Sequence, residues 1–146
     1  MNSVYGYGLA VVASVLWGLT YCLDERVLKS LSVYKLYFLH CVCGAMVAGA
    51  ILLLQGSYPG SLFTFNTSAA SLPLVLVTLA TATTAALAIL SSIQLLGANT
   101  SAVLEISYPL FVALFSVLFF KGQLHPSVVI GGMFIFLGSA IIVLAK

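Results

Sequence analysis

The chain has 146 residues, of which 62% are hydrophobic and 5% charged, with a formal net charge of +2 at pH 7. A soluble domain carries about 25% charged residues, so this composition excludes a soluble globular fold and leaves an integral membrane protein with the lipid bilayer as its first partner. The few basic residues are too scattered for a nucleic-acid footprint, and no nucleic acid is expected to bind.

A membrane-spanning helix needs about 20 mostly apolar residues, and five such runs follow one another, over 4–23, 33–54, 72–96, 101–120 and 126–145. The expected fold is therefore all-α, a bundle of about five transmembrane helices in a single domain covering 1–146. The first run has no Lys or Arg before it, as a cleaved signal peptide would require, and reads as a span that stays. On it, Ser14, Trp17, Tyr21 and Asp24 follow helical spacing and share one face. Trp17 lies too deep in the run for an interfacial anchor. The second run contributes Tyr37 and His40, together with small residues at Gly44, Ala45, Ala48 and Gly49.

The longest connection, QGSYPGS with Pro59, leads towards the third run. That run carries Thr78, Thr81, Thr83, Thr84, Ser91, Ser92 and Gln94. Polar side chains in a span usually face the bundle interior, so these are candidates to line a polar cavity, although Ser and Thr can also bond carbonyls of their own helix. Pro73 and Pro126 stand at the starts of the third and fifth runs, where a missing N–H costs little. The short GANTS connection makes the third and fourth spans expected antiparallel neighbours. Two N-x-S sequons, at Asn66 and Asn99, belong to a pattern that chance often produces.

The fourth run is where chemistry is expected. Ser101, Glu105, Tyr108 and Ser116 fall on one helical face, and Pro109 lacks the N–H that would have bonded the carbonyl of Glu105. One turn thus combines an ionisable group, a freed acceptor and a bend at Pro109. Glu105 sits about one turn inside the start of its run, where a helix N-terminus favours a carboxylate. An ionisable residue within a span is nevertheless a functional hypothesis by default. The candidate binding residues for substrate or proton are Glu105, Tyr108, Trp17, His40 and Ser101. In the fifth run Gly131, Gly132, Gly138 and Ser139 form a small-residue seam suited to close helix packing, and the glycines are candidates for contact between chains.

Cys22, Cys41 and Cys43 lie in apolar runs, and an odd set of thiols there makes no disulfide framework. Neighbouring ligands such as His40, Cys41 and Cys43 point to different helix faces, so neither metal nor cofactor is expected. No H-E-x-x-H, G-x-S-x-G or phosphate-loop pattern is present, and the expectation is that the chain is not an enzyme. Arg26, Lys29, Lys35 and Lys146 fall on one side of a five-span arrangement and Lys121 on the other. The positive-inside rule then puts the N-terminus outside and the C-terminus in the cytoplasm of a cell-membrane protein.

Several stretches together resemble one repeat of the drug/metabolite transporter superfamily, an EamA-like domain. They are Trp17-Gly18, Ala98-Asn99-Thr100-Ser101-Ala102, Tyr108 to Phe115, Lys121-Gly122-Gln123, and Gly131-Gly132 with Gly138. Tyr108 stands where many members have glutamate, Gln123 follows Gly122 where Gly-Glu is common, and His40 stands for a frequent arginine. The resemblance implies one half of an inverted-repeat transporter, whose site forms where two repeats meet. It thus implies a half-sized secondary transporter of a small metabolite or drug-like molecule. It would act as a homodimer or with a second repeat, with Glu105 as the candidate proton-coupling group. The alternative is a non-transporting membrane subunit that stabilises or regulates a partner.

Overall fold

The computed structural model describes residues 2–56, 72–123 and 126–144. The connection with Pro59, the Asn66 sequon and Lys146 lie outside the described residues. Among those described there is no strand, and six α-helices follow in order: α1 Asn2–Val27, α2 Val33–Leu54, α3 Leu72–Leu96, α4 Ala98–Glu105, α5 Tyr108–Phe120 and α6 Pro126–Leu144. The fold is that of an all-α membrane protein. Four stretches are long and apolar enough to cross a membrane, Tyr5–Val27, α2, α3 and Ala98–Phe120, and a fifth apolar helix over Pro126–Ile142 is shorter.

The fourth span departs from a single bent helix, because it is two helices. Ile106 and Ser107 lie between α4 and α5 with backbone angles of φ −58, ψ −10 and φ −72, ψ −10. These remain right-handed but are tighter than α-helix, near the 3₁₀ range. Accordingly the Ser107 N–H donates to the Leu104 carbonyl three residues back, at 3.3 Å, and the Leu110 N–H to Ser107 at 3.2 Å. Pro109 then sits in the first turn of α5, where no N–H is needed. The α3–α4 junction is a single residue, Gly97, at φ +82. A side chain is strained at that angle, which is why glycine serves there.

The chain divides into two compact units, one of residues 1–26 and 92–146, the other of residues 27–91. In the first, α6 packs against α5 and α4. Gly132 makes the approach possible, since a Cβ there would run into the Leu110 side chain. Gly131 and Gly138, on another face of α6, have open space around them. The small-residue seam therefore splits: Gly132 and Ser139, seven residues apart, are buried within the chain, while Gly131 and Gly138 are exposed. In the second unit Leu28, Val33, Leu36 and Leu90 are buried, and Tyr37 on α2 donates to Thr83 on α3 at 3.3 Å.

Burial is otherwise slight. In each of the four long apolar stretches 6% of the most apolar part is buried, so nearly all of this apolar surface faces outward, as lipid contact allows. Cys22, Cys41 and Cys43 are free and exposed. The packing at Gly132 predicts that Gly132→Val destabilises the protein by about 1–3 kcal/mol through overpacking, while Gly44→Val, with open space around it, has little effect. Thermal unfolding in one detergent distinguishes the two.

Candidate functional site

The broken fourth span leaves acceptors to be satisfied. With the Ser107 N–H turned to Leu104, the Val103 carbonyl loses the donor a continuous helix would supply. Ser139 of α6 replaces it, its Oγ donating to the Val103 carbonyl at 2.8 Å while also lying 3.0 Å from the Ile135 carbonyl of its own helix. Ser107 donates in turn to Ser139 at 3.3 Å, with both side chains buried. A hydroxyl network thus seals the break from the α6 side.

On the other side stands α1. The Tyr21 hydroxyl donates to Oε2 of Glu105. Tyr21 is buried, and its ring meets Trp17 edge-on, with centroids 6.0 Å apart and planes at 75°. Such a T-shaped pair is a favoured aromatic geometry. One turn further along α1, Glu25 accepts a hydrogen bond from the Ala98 N–H at 2.8 Å. Gly97 precedes α4 and has no side chain with which to cap it, so a carboxylate from a distant helix does so. It meets the positive end of the α4 dipole.

The residues expected to form the site are therefore placed unequally. Glu105 and Trp17 both meet Tyr21. Tyr108 is 60% exposed and, with Pro109, lines a groove of about 330 Å³ shared with Val112, Ala113, Ser116, Gln123 and Val128. Glu105 is not among that groove's lining residues. Ser101 is fully buried and shares a 2.8 Å hydrogen bond with Ser92. His40 belongs to the second unit and is exposed. Four hydroxyls of α3, on Thr78, Thr81, Thr84 and Ser91, bond carbonyls one turn back on their own helix. Among the described residues no three side chains are grouped to hold a metal ion.

A model of the EamA-like transporter family matches residues 4–144. The chain belongs to that family. No curated protein and no solved structure matches it. Members of the EamA-like family are transporters of small molecules, which agrees with a multi-pass chain bearing a polar cluster at a broken span. In this EamA-like chain, Tyr21 is the residue sequence reasoning left off the site. Its place on the Trp17 face was visible, but its partner lies 84 residues away in sequence. Glu25 carried no signal at all, since it reads as a charge in a loop.

The burial of Ser101 separates packing from binding. Ser101→Ala leaves the Ser92 hydroxyl without its partner and is expected to cost about 1 kcal/mol of stability. Thermal unfolding of Ser101→Ala beside the exposed Asn99→Ala measures this.

Proposed function

We propose that this repeat carries a small metabolite or drug-like molecule across the cell membrane as a secondary transporter, with Glu105 as the group that binds cargo or proton. The observation that carries the reading is that Glu105, the carboxylate within the fourth span, is held by Tyr21 directly beside the break before Pro109. A carboxylate in lipid is costly and is kept where it has work. Trp17 and Tyr108 offer aromatic surface to the path, and His40 is a further candidate to bind cargo. Ser101 supports α4 from behind.

The pathway needs two repeats, here a second copy of the chain or a partner repeat, and the open Gly131 and Gly138 face of α6 suits that contact. The basic residues Arg26, Lys29 and Lys35 favour an outside N-terminus and a cytoplasmic C-terminus.

Proteoliposomes holding a trapped pH dye test the reading when offered a panel of amines, amino acids and nucleosides. At least one cargo is expected to move protons with the wild-type chain, and Glu105→Gln to reduce the signal to that of empty vesicles while inserting normally. Unchanged flux in Glu105→Gln removes the carboxylate from the mechanism. Absence of flux from the wild-type chain alone, with a stable complex around a different membrane protein, favours the regulatory subunit instead. Orientation is read separately by attaching an impermeant maleimide to a cysteine added at either end, with Cys22, Cys41 and Cys43 replaced by serine. The added N-terminal cysteine is expected to react from outside.

A further inference from the structure

α1 holds α4 at two points. Tyr21 and Glu25 lie one turn apart on α1, and their partners are the two ends of α4, the Glu105 carboxylate and the Ala98 N–H. Along an eight-residue helix these ends are about 10 Å apart. The helix is set off from its neighbours in sequence by a break on either side. Gly97 at φ +82 joins it to α3, and the tight Ile106–Ser107 turn joins it to α5.

The two holds differ in kind. At the Ala98 end the donor is a buried backbone group at a helix N-terminus, its residue only 3% exposed. It donates to Glu25, and attraction to the helix dipole adds to the bond. At the other end Tyr21 is buried but Glu105 is exposed. Tyr21 engages one carboxylate oxygen, and a carboxylate has room for about four hydrogen bonds. An incoming donor can therefore reach Glu105 and compete with Tyr21, whereas Glu25 is less exposed than Glu105.

We propose that α4 is a lever pivoting on its Glu25-capped end, and that Tyr21 is the positioning residue that latches the opposite end by holding Glu105. A cargo donor or cation that takes the carboxylate from Tyr21 frees that end. Release is a transport step only on the carrier reading given above, but the latch itself is independent of it.

Hydrogen exchange on the full chain in lipid nanodiscs tests the lever. In Tyr21→Phe and in Glu105→Leu, the amides of Leu104–Ser107 are expected to exchange about tenfold faster, the size set by loss of a hydrogen bond to a charged group. The Ala98 amide and those of α2 keep their protection. In Glu25→Gln the Ala98 amide is the one that speeds up. The two latch variants remove opposite ends of one bond, so either alone decides the matter should the other not fold. Unchanged exchange at Leu104–Ser107, or equal acceleration along all of α4 in the latch variants, overturns the lever. Should exchange respond while Glu105→Gln leaves flux intact, the latch stands and the carrier role of Glu105 falls. Loss of flux without an exchange response has the opposite meaning.

Discussion

Inside a bilayer no water is available to a polar group, so each backbone N–H and C=O must be satisfied within the protein. A continuous helix meets that demand by itself, and most of this chain is built that way. The fourth span cannot, because Pro109 supplies no N–H to the carbonyl of Glu105 and the chain tightens at Ile106–Ser107 just before it. The consequences spread outward from that point. Ser139 of α6 takes up the Val103 carbonyl, Ser107 bonds Ser139, and Tyr21 of α1 takes up Glu105. Two helices, α1 and α6, are thereby tied to one short segment by polar contacts.

Apolar contacts do the opposite across most of the surface. The long spans keep almost all their side chains outward, and the tight fit is confined to places such as Gly132 against Leu110. For a protein in lipid this costs nothing in itself, since lipid tails are as apolar as leucine. It also leaves room for a second repeat, on the proposed reading, with small residues of α6 on the open face. The polar ties hold α1, α4, α5 and α6 together within the first unit.

The spans themselves were legible in the sequence, because apolar runs of this length have few alternatives in a chain with so few charges. The interruption at Pro109 was legible as well, since a missing N–H is a property of the residue. Its form was not. A bend in one helix and two helices joined by a tight turn satisfy the same proline, and the choice depends on Ser139 being placed to donate to the freed Val103 carbonyl. The polar residues of the third span show the same limit. Threonine is equally able to line a cavity or to bond the carbonyl one turn back, and here Thr78, Thr81 and Thr84 do the latter while Thr83 meets Tyr37. Periodicity placed Tyr21 and Glu105 each on a polar face, but no local pattern pairs residues so distant. Glu25 as the cap of α4 was hidden for the same reason.

The central claim is that the carboxylate of the fourth span is held by a tyrosine of the first. The chain has two glutamates, Glu25 and Glu105, so a protein labelled with ¹³C at the glutamate carboxyl and the tyrosine phenol carbon gives two carboxyl signals in solid-state magnetic resonance of membrane-embedded samples. The account predicts a through-space correlation between a tyrosine phenol carbon and the signal that disappears in Glu105→Gln, and loss of that correlation in Tyr21→Phe. A Glu105 signal with no tyrosine correlation, or with one that persists in Tyr21→Phe, contradicts it.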